Sequence, residues 1–184
     1  GSGDSKYVLV SFGRQGRMCK RDRTGDGAGA GMHHVRHQIV LEQGASATLL
    51  DQSLSHEAAA LSTQGWGIEL AADAALNFTR LQDTAQTHKA VDRLHATVAD
   101  GGELVANLLE LGARPGRLGL HVTLDGERAS AQVNSMLYAS GKSHEDHQIR
   151  IDHRAPNWVI RTQGCAHAQD LGRVVLDAYV QCDK

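Results

Sequence analysis

Proline is nearly missing from this chain, with two residues in 184, and aromatic side chains make up only 4%. Scarce proline suits continuous backbone ladders, in which every missing N–H costs a hydrogen bond. Scarce aromatics leave a core to be built from Val, Ile, Leu and Ala, and hydrophobic residues at 41% are enough to build one. Side chains of that size suit thin stacked β layers better than one large globular core. Cysteine is sparse too. Cys19, Cys165 and Cys182 are odd in number and form no CxxC, which argues against a disulfide framework and fits a reducing cytosol.

Further absences remove whole functional classes. The formal net charge is −2 and no long segment carries one sign, so the basic stripe that nucleic acid requires is missing. The local basic run Arg14–Arg23 is partly offset by Asp22 and Asp26 and reads as a solvated loop. No apolar run approaches the roughly 18 residues that span a bilayer, and Tyr7–Phe12 is too short for a signal-peptide core. The glycine-rich Gly25–Gly31 is not followed by Gly-Lys-Ser/Thr and a helix, so it is no phosphate loop. A Gly-x-Ser-x-Gly elbow is also absent.

What is present is a repeat. Residues 1–5, beginning Gly1-Ser2-Gly3, read as a cloning remnant; residues 6–31 supply a leading strand (Tyr7–Phe12) and a Gly-rich loop; residues 32–184 form the repeating core. Segments built as strand, tight turn, strand and polar connection align on turns at Gly44, Asp73, Gly101, Gly126 and Pro156. A unit of about 28 residues points to a solenoid, in which each coil buries its apolar face only on its neighbours. Within the strands Ile39 with Leu41, Ile68 with Leu70, His121 with Thr123 and Ile149 with Ile151 alternate with period two, as strands with one buried face do. Connections of this length imply parallel pairing, and parallel crossovers are right-handed. The expected fold is an all-β, right-handed parallel β-helix of flattened coils. An antiparallel cupin-type barrel is the alternative architecture. Gly102–Leu111 also admits a helix with Leu104, Leu108 and Leu111 on one side, and Ala58–Leu61 a helical turn.

Four stretches in this order and spacing resemble the core domain shared by SufB and SufD, scaffold subunits of the SUF iron–sulfur cluster assembly system, and SufD more closely. They are His33–Ser55, Ile68–Phe78, His147–Asn157 (HQIRIDHRAPN) and Asp170–Gln181 (DLGRVVLDAYVQ). The last is similar to a family coil of the form D-x-G-R-x-V-F-N-G. Departures occur at Trp158, where the family has a small residue or cysteine, at Ile160-Arg161-Thr162, and at Leu176-Asp177-Ala178. The Q-K-T-D and D-D-V-x-C-S-H-G segments, which carry the family's Cys and His candidates for cluster chemistry, do not occur among these residues. The resemblance therefore implies a truncated, diverged or engineered core fragment. It also implies a cytoplasmic, non-catalytic scaffold whose context is an iron–sulfur cluster, with a SufB-like subunit and a SufC-like ATPase as family partners. The ATPase engages a C-terminal helical domain that these residues do not include. A stack cut between coils is expected to self-associate, or to take a stacked partner, near Arg173–Cys182.

The remaining candidate chemistry is weak, and no catalytic, cofactor or metal residue is assigned. On a strand His33 and His37 share a face but lie about 13 Å apart, too far to ligate one metal, with His34 on the other face; a helix would bring His33 and His37 together. The cupin alternative wants His-x-His before its Glu, and only Glu42 is there. His147 and His153 share a face about 20 Å apart, beside His144, Glu145, Asp146 and Asp152; His153 reads as a hydrogen-bonded residue next to the Ala155-Pro156 turn. Cys165 and His167 read as a buried thiol and a surface imidazole, though such a pair can bind a soft metal with help. Among Asp73, Asp83, Asp92, Asp100 and Asp125, the three at 73, 100 and 125 sit at turns, where Asp is favoured for backbone reasons. That weakens the alternative of a carbohydrate-active β-helix, which needs paired carboxyls across a groove.

Overall fold

A computed structural model describes residues 5–12, 32–55, 61–112 and 115–182. The Gly25–Gly31 loop, the Arg14–Arg23 run and most of the Ala58–Leu61 turn lie outside them, and Leu61 itself opens a strand.

The described residues form twelve strands and no helix: β1 (Ser5–Phe12), β2 (Met32–Leu41), β3 (Ser46–Ser55), β4 (Leu61–Leu70), β5 (Ala75–Thr84), β6 (Lys89–Val98), β7 (Glu103–Leu111), β8 (Gly116–Leu124), β9 (Ser130–Ala139), β10 (His144–His153), β11 (Val159–Ala168) and β12 (Arg173–Cys182). Every ladder is parallel, which removes the antiparallel barrel. Even-numbered strands, led by β1, make a seven-stranded sheet in the order β1-β2-β4-β6-β8-β10-β12. Odd-numbered strands make a second sheet in the order β3-β5-β7-β9-β11. Met32 pairs with Leu61 and Glu145 with Gly116, each a step of 29 residues. The fold is thus a β-solenoid of about five turns, each passing once through each sheet. The Gly102–Leu111 segment, open to a helical reading, is strand β7, its alternate residues buried.

The coils stay in register because the turns stack as well. The Gly44 N–H donates to the Ala72 carbonyl, Asp73 N–H to Asp100 O, and Gly101 N–H to Glu127 O, at 2.8–2.9 Å. Each of those three residues has a positive φ of 57–69°, reached at low cost by Gly and tolerated by Asp. In the next two turns the left-handed residue is Arg128 and then Asn157, not Gly126 or Pro156. Both prolines lie in connections, and Pro115 there accepts from Ala90 N–H.

Inward-facing residues form columns running along the stack. Ile39, Ile68, Ala96, Val122 and Ile151 make one, each at most 3% exposed; Leu76, Leu104 and Ala131 make another on the facing sheet. Burying a Leu or Ile side chain contributes about 1.5–3 kcal/mol, and the columns supply this without large aromatics. This apolar filling occupies the half of the interior next to the Gly44, Asp73 and Gly101 turns. The other half is polar.

Candidate functional site

The polar half is built from the same alternation. β5 continues its inward row Leu76, Phe78 with Arg80, Gln82 and Thr84. β7 ends its row with Leu108 and Glu110, and β9 contributes Ser135. From the facing sheet come Gln64 on β4, Asp92 on β6, and Glu145 and His147 on β10. Arg80, Asp92, Glu110, Glu145 and His147 are each at most 2% exposed.

Arg80 is the hub. Its Nη1 donates to Glu110 Oε1 at 3.0 Å and its Nη2 to Gln82 Oε1 at 3.0 Å; Nη2 also pairs with Asp92 Oδ2, and Nε lies 3.4 Å from Asp51 Oδ2. Burial pushes the guanidinium toward losing its proton, but the carboxylates of Glu110, Asp92 and Asp51 together outweigh that and raise its pKa. Asp92 is held up at about 6 by burial, against the pull of Arg80 and of the Gln64 N–H, which donates to its Oδ1 at 2.6 Å. Burial likewise raises Asp51 in spite of Arg80.

Glu145 is the unusual member. Neither carboxyl oxygen has a hydrogen-bond partner, and burial followed by the Glu110 charge pushes it up to about 9, so it is a neutral acid at pH 7. Its carboxyl lies over Gly116, the residue beside it in the ladder, where a Cβ would collide with it. Next along β10, His147 Nδ1 meets Ser135 Oγ at 2.7 Å, and its Nε2 lies 3.8 Å from Glu110 Oε1. Serine, imidazole and carboxylate are the parts of a hydrolytic triad. Here, however, Ser135 is 4% exposed, and β9 is an inner strand whose N–H groups serve the ladders with β7 and β11, leaving no backbone donors beside it for an oxyanion. The arrangement fixes charge inside the stack, and burial raises the carboxyls of Asp92 and Glu145 above their ordinary range.

Of the residues singled out from sequence, Asp92, Glu145 and His147 lie in this polar interior, and the others fall elsewhere. His33 and His37 lie on one strand, β2, and His37 stacks on Trp66 with ring centroids 3.7 Å apart. His34 points outward and bonds Thr63 Oγ1. His153 does not make the hydrogen bonds expected of it. Both ring nitrogens lack a partner, and the ring packs on Trp158 at 4.0 Å, so the departure at position 158 supplies its contact. Cys165 is not buried but an exposed free thiol; His167 stacks on Tyr138 instead. Asp100 accepts from Glu127 N–H, and Asp125 from Arg154. Of the five aspartates only Asp92 joins the interior network. No three His, Cys, Asp or Glu among the described residues are grouped to hold a metal ion. No described helix is long and apolar enough to cross a membrane.

Sequence reasoning missed Arg80 and Glu110, and named Glu145 only as a neighbour of His147. The signal was parity: Arg80 is in phase with Leu76 and Phe78, Glu110 with Leu104 and Leu108, and Glu145 with Ile149 and Ile151, so each had to point inward.

Fold and interior together define a two-sheet parallel β-solenoid with one oily and one charged half. A family model described as SUF system FeS cluster assembly, SufBD core domain, matches residues 23–181. The chain belongs to the SufBD core family and so to iron–sulfur cluster assembly by the SUF system. No curated protein sequence matches it.

Proposed function

We propose that this chain is a non-catalytic, SufD-like scaffold core that works by presenting a rigid stacked surface to a SufB-like subunit. The observation that supports this reading is the family match over residues 23–181, carried by coils whose strands and turns stack in register. Stacked coils of this kind present a rigid surface along their length. The buried Ser135–His147–Glu110 set, shut off from solvent, supports a structural role over hydrolysis.

Co-expression with a SufB-like chain tests this. A co-purifying complex is expected, and failure of the two chains to co-purify would overturn the reading.

A further inference from the structure

The outer face of the seven-stranded sheet carries a groove of about 1140 Å³ that crosses β2, β4, β6, β8, β10 and β12. Two neighbouring rows of outward residues make it. One runs Arg36, Gly65, Arg93, Gly119, Gln148, Asp177, and the other Gln38, Gly67, His95, His121, Arg150, Tyr179.

Glycine in a strand interior weakens it and commonly marks close approach by another backbone or a ligand. Several glycines here are explained by the chain's own packing. A Cβ at Gly67 would strike the Gln38 amide, one at Gly116 the Glu145 carboxyl, and one at Gly164 the Leu176 side chain. Gly65 and Gly119 are different. A Cβ at Gly65 would meet only Arg36 Cγ at 3.6 Å, and one at Gly119 only Arg93 Cγ at 4.0 Å. Neither has a positive φ. Nothing in the fold requires glycine at either position, yet the two bracket Arg93 in its row and add no side chain of their own on either side of it.

The charges point the same way. Arg117 is paired with Asp146 at 3.5 Å, and Arg150 with Asp152 at 2.8 Å; His121 also bonds Asp152. Arg93, exposed at the centre of the groove, makes no hydrogen bond or ion pair with any described residue. We infer that this groove binds an extended acidic segment of another polypeptide, its backbone lying across Gly65 and Gly119 and a carboxylate meeting Arg93. Six strands span roughly 24 Å, room for about seven extended residues. A continuous phosphodiester fits less well. Asp146, Asp152 and Asp177 lie along the same face, and the rows carry one Tyr beside the imidazoles of His95 and His121, which meet edge to face at 4.9 Å, against the open aromatic platforms on which bases stack.

Fluorescence anisotropy with a labelled peptide of alternating glutamate and glycine tests the site, against a glutamine–glycine peptide and a labelled oligothymidylate. The acidic peptide is expected to bind best and to weaken with added salt. Arg93→Glu and, independently, Gly119→Leu should each weaken it about tenfold or more, while Arg161→Glu on the opposite sheet leaves it unchanged. Both test positions are outward and open, and unchanged circular dichroism and melting temperature show that the variants are folded. Should Arg93→Glu lose its fold, Arg93→Gln replaces it. Equal binding of the two peptides, indifference to both groove substitutions, or tighter binding of the oligonucleotide would each overturn the inference.

Discussion

The two halves of the interior are made by the same strands, with the same parity and spacing, and hold their coils together by opposite means. Beside the Gly44, Asp73 and Gly101 turns, columns of Ile, Leu, Val and Ala exclude water and need no further specification. At the other end one guanidinium faces Asp51, Asp92 and Glu110, with a neutral Glu145 beside them. The contrast shows that the stack tolerates a charged interior provided each charge finds a partner on another coil. Arg80 on β5 reaches β3, β6 and β7 and so ties three coils at one point. Aliphatic columns contribute burial but slide easily among similar neighbours. A buried ion pair contributes little net energy but is costly to break, which makes it suited to fixing register.

The largest test of that contrast sets Phe78→Ala against Arg80→Met, adjacent inward positions on β5 that are both fully buried. Each should cost about 3–5 kcal/mol, the first by leaving a cavity and the second by leaving carboxylates without their counter-ion. Their pH dependence should separate them. Loss of Arg80 removes the group that holds the Asp51 and Asp92 values down, so in the variant these carboxyls keep protons to higher pH. Its deficit should therefore shrink as pH falls from 8 to 5, while that of Phe78→Ala stays constant. Urea denaturation across this range measures both. Equal pH profiles would mean that Arg80 contributes bulk and not charge.

Glu145 gives the next effect. Its folded value, about 9, lies above its ordinary 4.5. Between those limits the folded state holds a proton that the unfolded state has released. Its contribution is least unfavourable below pH 4.5, grows worse as pH rises toward 9, and is constant above. Glu145→Gln keeps the shape and removes the ionisation. It should stabilise the protein by about 5 kcal/mol at pH 8, with little change at pH 4. A melting curve for Glu145→Gln that follows the parent across this range would show that the carboxyl is hydrated and ordinary.

How much of this was legible in the sequence follows from the same division. The apolar half was readable because Ile39 and Leu41, or Ile68 and Leu70, announce their buried face by hydrophobicity, and the turns by Gly and Asp. Parallel pairing and a step of about 28 residues followed, against an observed step of 29. The polar half was not readable in the same way. A charged residue at an inward position looks like a surface residue unless its parity is followed from apolar neighbours, and which coil supplies its partner depends on three-dimensional stacking. His153 misled for a related reason, since its contact is an aromatic ring five residues on, beyond the turn. The groove around Arg93 was invisible because it consists of side chains that are missing, at Gly65 and Gly119, on strands adjacent only after folding.

The smallest effect belongs to the hydrogen bond between Ser135 and His147, and it asks whether the polar half is polar by need or by partnership. Ser135→Ala removes the hydroxyl 2.7 Å from Nδ1. His147 Nε2 already lacks a hydrogen-bond partner, so the variant leaves a buried imidazole bonded through neither nitrogen. The expected cost is about 1–2 kcal/mol. Replacing both partners with apolar groups, in Ser135→Ala with His147→Leu, removes the unsatisfied ring as well. Ile149 on β10 and Val133 on β9 lie two residues away on the same faces, so the apolar filling would extend by one layer, and stability should return to within about 0.5 kcal/mol of the parent. A double-mutant cycle by denaturant titration gives the coupling directly. Strictly additive losses would mean that His147 answers to Glu110 and not to Ser135, placing it in the Arg80 charge network rather than at the boundary of the apolar columns.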